Sequence, residues 1–541
     1  MSELRTGILI VGGGLGGVAA ALAVARCGHR AILTEPTRWL GGQLTSQAVP
    51  PDEHPWIEQF GATASYRSLR DGIREYYRRW YPLSARARAV RHLNPGRGSV
   101  SALCHEPTVA LAVIEAMMAP HRAAGTVQVL HAHRPIAATV DADRVSSVRF
   151  VDEATGHEVD IHADYVLDAT ETGDLLPLAG VEYVTGAEPA GETGEPHAAA
   201  DAEPQRMQGF TVCFAMDHRA GEDHTIDRPV DYDRWRAADA PVRPAQQIGW
   251  PNPEPGHGVL RPNPDAASDE KVIVSASHTG RFAPPAGWSP IADLWRFRRL
   301  LCRHNLTPSP PSDITLVNWS ANDYHGGSIV DVPATLAEAN LRAARQLSLS
   351  LFYWLQTEAP RADGGTGFPG LRLRPDVTGT PDGLAMAPYI RESRRIRAVT
   401  TIREHDIAVA DRGEYGAVRH ADSVGIGSYK IDLHPGTHGG ARMYAAAHPF
   451  EIPLGALLPV RMRNLLPAAK NIGTTHITNG CYRVHPVEWN VGEAAGHLAA
   501  YCLGHGTEPH QVREDPRHLG TFQSILTSHG VELRWPEVRG Y

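Results

Sequence analysis

The sequence predicts an α/β fold: a doubly wound, mainly parallel sheet, discontinuous in sequence, with an inserted α+β region built on a mainly antiparallel sheet. Three observations carry this. "GILIVGGGLGGVAAALAVARCGHRAILTE", Gly7 to Glu35, reads as strand, glycine turn, small-residue helix and strand. "DYVLDATETGDLLPLAG", Asp164 to Gly180, runs a further apolar strand into a second glycine turn. In the middle of the chain, "FTVCFAM", "KVIVSAS" and "ITLVNW" are separate strand-like runs set between loop-rich stretches, which suits antiparallel pairing.

In the first unit, Ile8 to Val11 is a short continuous apolar run, as a buried parallel strand requires. Gly12, Gly14 and Gly17 then satisfy G-x-G-x-x-G, with Leu15 inside the motif. Gly12 permits the tight turn, Gly14 lets a pyrophosphate approach the helix N-terminus, and Gly17 lets helix and strand pack closely. Ala31 to Thr34 is the second strand, and it ends in Glu35, placed to accept hydrogen bonds from a ribose. This is a Rossmann-type dinucleotide site. An acid at Glu35 disfavours a 2′-phosphate, which leaves FAD or NAD.

The next stretch separates those two. "RWLGGQLTSQ", Arg38 to Gln47, brings a second glycine pair, Gly41 and Gly42, followed by Gln43 and Thr45. It resembles the FAD-binding pattern of the glutathione-reductase-like flavoproteins, in which a second loop touches the pyrophosphate and leads to the flavin. Asp168, Ala169 and Thr170, with Gly173 after them, look like the A-T-G element of the same superfamily. "LCHEPTVALAVIEAMMAP", "IRESRRI" and "FEIPLGALLPVRMRNLLPAAKNIG" narrow the resemblance to the bacterial FAD-dependent oxidoreductase family.

That resemblance covers nearly the whole chain and implies its organisation. The FAD-binding domain takes residues 1–50, 103–180 and 453–503, with a helical insertion at 51–102. A substrate domain spans 181–452, and 504–541 forms a C-terminal helical appendage. Thr185 to Gly209 is polar and rich in Gly and Pro, a loop or lid. "RPNPDAASDE" is a further loop, and Thr335 to Gln356 is a long amphipathic helix. One departure stands out. Relatives in the superfamily place an acid for the ribitol near the end of the last strand, where this chain reads Ala469-Lys470-Asn471.

Near the C-terminus, "NGCYRVHPVEWNVGEAAGHLAAY" sets Arg483 and His485 on an irregular turn before a helix opened by Asn490, Val491 and Gly492. Within the resemblance, that helix aims its N-terminus at the pyrimidine edge of the flavin, and its dipole favours the anionic reduced ring. Its small residues would let a flat ring approach. His485, or else His434, would accept a substrate proton, and Arg483 would orient an anionic group. Trp319 to His325 and Ser428 to Pro435 supply further polar residues for a pocket wall, and Arg391 to Arg395 suits an interdomain salt-bridge network.

Composition bounds the rest. The 541 residues carry a formal net charge of −8, so no basic excess exists to neutralise nucleic-acid phosphates. Six scattered cysteines with no C-x-x-C argue against a disulfide framework or a metal centre and fit a reduced, cytoplasmic setting. No apolar run reaches the roughly 18 residues of a membrane span. The expected activity is hydride transfer from a small organic substrate to FAD by a dehydrogenase or oxidase. Oxygen, a quinone or a carrier would reoxidise the flavin, and a homo-oligomer is compatible with the sequence. The alternatives are a flavin monooxygenase with transient NAD(P)H docking and an FAD-stabilised non-catalytic subunit.

Overall fold

The computed structural model describes residues 2–241, 246–250, 260, 262, 293–361, 363–440 and 442–538. The run "KVIVSAS" and nearly all of the loop "RPNPDAASDE" lie outside the described residues. The first part of the chain runs β1 (Ser2–Val11), α1 (Leu15–Arg26), β2 (Ala31–Glu35), α2 (Ala64–Trp80), α3 (Pro107–Ala123), β3 (Val127–His131), β4 (His133–Asp141), β5 (Arg144–Asp152) and β6 (Glu158–Asp168). These strands form one sheet in the order β3-β2-β1-β6-β5-β4. The β3, β2, β1 and β6 strands are parallel, whereas β5 and β4 add an antiparallel flap. Ile8, Leu9, Ile10 and Val11 are wholly buried, because helices and loops cover both faces of the sheet here.

The α2 helix shows how an Arg-rich sequence is accommodated. Thr63 caps its N-terminus by accepting the Tyr66 N–H at 3.2 Å, a contact worth about 1 kcal/mol. Its buried face is Tyr66, Leu69, Arg70, Ile73 and Tyr77, at helical spacing. Arg70 is not wasted there: its Nε donates to Glu53 at 2.8 Å and its Nη1 to Glu58 at 2.9 Å. Burial would raise the Glu58 carboxyl, but Arg70 and Arg74 hold it down to about 2.

The middle of the chain forms β7 (Phe214–His218), β8 (Arg299–Leu301), β9 (Ile314–Val317), α4 (Ala334–Thr357) and β10 (Leu371–Leu373). The four strands pair antiparallel in the order β8-β9-β7-β10. On α4, Ala344, Leu347, Ser348, Leu351 and Leu355 face inward at i, i+3, i+4 spacing. Ala344, Leu347, Leu351 and Leu355 pack in a separate apolar cluster with Phe214, Val317 and Trp295. The segment Thr185 to Gly209, expected as a loop or lid, is a loop anchored at several points. Glu188 accepts from Arg395 at 2.9 Å, and Glu195 accepts from the Thr475 hydroxyl at 2.6 Å.

The last part contains β11 (Ser423–Gly427), β12 (Ile431–Leu433), β13 (Met443–Ala445), β14 (Phe450–Pro453), β15 (Leu465–Pro467), α5 (His476–Tyr482), α6 (His485–His505), α7 (Pro509–Glu514) and α8 (Pro516–Ser528). The chain returns to the first sheet at β15, which pairs parallel with the C-terminal end of β6. The α6 helix corrects an expectation. It opens at His485, not Asn490, because Pro486 occupies its first turn, where a missing N–H costs nothing. It ends at Gly506, whose φ of 61° supplies the left-handed turn that stops a helix. The segment after 503 is also more than an appendage. Arg513 Nε donates to Asp422 at 2.7 Å, and the Trp535 indole N–H donates to the Gly427 and Phe450 carbonyls at 3.1 and 2.9 Å.

Candidate functional site

Two helices cross where the site is built. A Cβ at Gly492 of α6 would collide with the Gly16 carbonyl of α1, and one at Gly496 with the Ala20 carbonyl. The small residues of α6 therefore bring two backbones together, where the sequence suggested room for a flat ring. Val491 is wholly buried in the same apolar core. Asn490 is likewise spent on structure: its Nδ2 donates to the Val424 carbonyl at 3.2 Å, and its Oδ1 accepts the Ile426 N–H. Neither residue is placed as a helix-opening flavin contact, because the helix begins five residues earlier.

The glycine turn lies where strand ends meet. Gly12 has φ of 100°, and a Cβ there would strike the Ala169 carbonyl. Gly17 packs on the Gly12 carbonyl in the same manner. Leu15 is wholly buried at the start of α1, which has no side-chain cap, so its first-turn N–H groups stay available to an anion. Glu35 reaches back to this turn. Its Oε2 accepts the Gly13 N–H at 2.8 Å and its Oε1 the Thr37 N–H at 2.9 Å. Burial pushes its carboxyl up to about 7, against the pull of those bonds. Asp168 turns onto its own loop, accepting from the Thr170 N–H at 3.1 Å and the Thr170 hydroxyl at 2.7 Å, and burial raises it to about 7. Thr45 donates to the Leu40 carbonyl and holds the second glycine loop closed.

Facing these glycines is a cluster that sequence reasoning did not assemble. Lys470, wholly buried, pairs with Glu171 and with Glu488, the latter at 3.0 Å. Gln43 Nε2 donates to Glu488 and to the Arg483 carbonyl. Burial alone would lower the Lys470 ammonium, but the two carboxylates outweigh it and hold its pKa above the usual lysine range. A Cβ at Gly14 would lie 2.9 Å from Glu171 Oε1, and Gly42 faces the same oxygen. Asn471, at the place where relatives carry the ribitol acid, donates to the Asp168 carbonyl at 3.0 Å.

A second group lies at the start of α6. His485 Nδ1 accepts the Asp52 N–H at 3.0 Å, which puts the ring proton on Nε2. Burial, assisted by Arg298, lowers this imidazole to about 3 against the pull of Asp52. With its lone pair engaged and so low a pKa, His485 is a neutral donor and not the proton acceptor expected of it. Arg483 Nη2 donates to the Asp432 carbonyl at 3.1 Å, and its Nη1 lies 3.5 Å from the Tyr389 hydroxyl. Tyr389 in turn is 3.4 Å from Asp52 Oδ2. Glu488, five residues on from Arg483, is committed to Lys470 and Gln43 instead.

His434 stands beyond Asp432. Its Nδ1 is 2.8 Å from Asp323 Oδ2, and burial with the Arg391 charge lowers it to about 4, against the Asp323 carboxylate. Arg391 Nη2 also donates to Asp323 at 3.0 Å. The "RESRR" run therefore does form a network: Arg391 to Asp323, Arg394 to Asp174 and Asp331, and Arg395 to Glu188 and Glu392.

Several buried polar atoms have no hydrogen-bond partner among the described residues. They include Arg298 Nε and Nη1, Arg483 Nε, His485 Nε2, Gln47 Nε2, Gln43 Oε1, Glu171 Oε1 and Glu488 Oε1. Native interiors leave few such atoms without a reason. Together with the uncapped α1, the open faces of Gly14 and Gly42, and the Glu35 carboxylate, they fit a bound dinucleotide. Glu35 would hold the ribose, and α1 and Lys470 the pyrophosphate. Glu171, a quarter exposed, is the side chain that must turn aside.

Partial likenesses to solved flavoenzymes accompany this site. The Sdh1 of Mycobacterium smegmatis, solved in complex with UQ1, is 10% identical over 31% of this chain and 34% of its own, with a TM-score of 0.23. The flavin-dependent monooxygenase PieE, solved with FAD and substrate, is 16% identical over 40% and 36%, with a TM-score of 0.23. THI4 of Thermovibrio ammonificans is 20% identical over 34% and 67%, with a TM-score of 0.22. This chain thus spans about a third of the length of the first two, and overlaps so slight carry no functional weight. Comparison with curated proteins returns no match. The family described as FAD dependent oxidoreductase, by contrast, matches residues 7–526. With that span and a nucleotide site whose parts fit FAD, the chain belongs to the FAD-dependent oxidoreductase family.

Proposed function

We propose that this protein is a dehydrogenase or oxidase that removes two electrons and a proton from a small organic substrate carrying an anionic group. When bound, FAD supplies the two-electron acceptor. The observation that carries the reading is the set of unpartnered donors on Arg298, Arg483 and His485, grouped around Asp52 and Tyr389. Buried guanidinium N–H groups left unpaired are costly, and a carboxylate or similar anion satisfies them. Arg483 would orient that anion, because its Nη atoms are anchored and its Nε is free. His485 would donate from Nε2 and not accept a proton. The burial of this group excludes water, which strengthens each of these contacts.

The test is anaerobic mixing of the FAD-loaded protein with a panel of small organic acids, hydroxy acids and amino acids, followed by absorbance. Bleaching of the flavin by one of them supports a dehydrogenase or oxidase. Rapid NADPH oxidation triggered by a substrate, with no anaerobic bleaching by any acid, would replace this reading with a monooxygenase.

A further inference from the structure

A cavity of about 360 Å³ lies away from the glycine turn, between the packed 185–209 segment, β12, β13 and the N-terminus of α5. That volume suits a small organic ligand. Its floor holds His476, Glu188, Glu195 and Leu433, and its mouth holds Arg206 and Arg442. His476 is the notable residue. Its Nδ1 is 2.9 Å from Glu392 Oε1, and Glu392 is fixed in turn by Arg395 and by the Gln208 N–H at 2.9 Å. Burial would raise the Glu392 carboxyl, but His476 and Arg395 hold it down to about 2, so it stays an acceptor. Nδ1 therefore carries a proton toward Glu392, and in the neutral imidazole it is Nε2 that presents a lone pair. This is the arrangement in which a carboxylate orients an imidazole for proton transfer.

The mouth has the opposite character. Among the described residues, Arg206 and Arg442 make long pairs, each 3.4 Å, with Glu203 and Asp432, and Arg442 also lies over the Tyr444 ring. Both guanidiniums can turn to a ligand carboxylate at little cost. The carboxylate Glu188 on the floor is neutralised by Arg395 and by the His476 N–H at 2.9 Å.

We propose that this cavity binds a small organic acid bearing a hydroxyl or amino group, with Arg206 and Arg442 on its carboxylate and His476 Nε2 as the hydrogen-bond acceptor for its protic group. The proposal rests on the reading of the chain as an enzyme of small organic substrates, and it adds a second place for such an acid, apart from the Arg298, Arg483 and His485 group. The α5 helix joins the two places. His476 begins it, and Arg483, whose carbonyl meets Gln43, caps its other end about 10 Å away.

The experiment is carbethoxylation of the FAD-loaded protein with diethyl pyrocarbonate, read at the His476 peptide by mass spectrometry. The reagent attacks through a neutral imidazole nitrogen, here Nε2. In the presence of millimolar lactate, malate or alanine, His476 labelling is expected to slow by about tenfold for at least one probe, the occupancy effect of a ligand near ten times its Kd. Lactate and malate report the hydroxyl arm, alanine the amino arm. Arg442→Gln, at an exposed position, should abolish the protection while leaving the unprotected rate unchanged. Glu392→Gln should slow labelling itself, because Nδ1–H then faces a neutral amide in place of a carboxylate. No protection by any of the three, or equal protection in Arg442→Gln, overturns the proposal. Protection without flavin bleaching by the protecting acid keeps the site and removes that acid as the electron donor.

Discussion

Replacing Glu35 with Gln tests the nucleotide site where its geometry is best defined. The carboxylate accepts two backbone N–H groups, from Gly13 and Thr37, and is almost wholly buried. A glutamine keeps the shape but turns one acceptor into a donor that must face an N–H. It also removes the charge that a ribose hydroxyl would meet. Loss of one charge-assisted hydrogen bond is worth about 1.5–3 kcal/mol, or roughly 10- to 150-fold in FAD affinity. The charge adds a pH signature. Glu35 in the FAD-free protein titrates near 7, raised by burial. Ribose donors favour the ionised form and so lower that pKa on binding. Affinity is then fully expressed above about 7 and is lost as pH falls below it, by about tenfold between pH 8 and pH 6. FAD fluorescence on titration of apoprotein measures both effects. The wild type should lose affinity on acidification, and Glu35→Gln should bind weakly with most of that slope gone. Equal affinity in the two proteins, or an equal slope, would refute the ribose assignment. Thermal melts of the apoproteins guard against a trivial loss of fold.

Three further outcomes are expected. Arg483→Lys should raise KM about 10- to 100-fold with kcat little changed, because a point ammonium cannot hold the Asp432 carbonyl, Tyr389 and a ligand together; an unchanged KM in steady-state kinetics would remove Arg483 from the site. Gly492→Ala should cost about 1–3 kcal/mol in urea unfolding, because its methyl must displace the Gly16 carbonyl and part α1 from α6; a neutral result would mean that the crossing is looser than it is drawn. Lys470→Met should destabilise the FAD-free protein by about 3–5 kcal/mol, because it leaves Glu488 buried without its cation, and Glu488→Gln in the same chain should restore part of the loss; additive effects would deny the coupling.

What the sequence shows and what it hides follow from range. The glycine turn, Glu35 and the paired strands around them lie within a few dozen residues, and each residue type has a local backbone reason to be there. Two strands of the antiparallel middle sheet, β7 and β9, were legible from their apolar runs, and α4 from its spacing. The start of α6 was misplaced because the glycines drew attention to Asn490, although Pro486 is the stronger local signal for a first turn. The Glu392–His476 pair joins residues 84 apart, and Lys470 meets Glu171 across 299 residues. No periodicity encodes such contacts. The one available clue was the density of charge in "IRESRRI", where buried guanidiniums demand carboxylates from elsewhere in the chain.

Lys470 also explains the departure at the end of β15. A carboxylate there would join Glu171 and Glu488, making three buried negative charges beside a site for a pyrophosphate. With lysine, the two glutamates are held in place, and the cluster carries one net negative charge in place of three. When Glu171 turns aside, Lys470 gains a free donor at the moment the phosphates need one. The acid has therefore not simply been lost from β15. Its place is taken by the cation that allows carboxylates from the turn after β6 and from the first turn of α6 to stand near the glycines. On this argument, Glu488 and Gln43 on the α6 side of the cluster would take the ribitol contact that relatives place at the strand end.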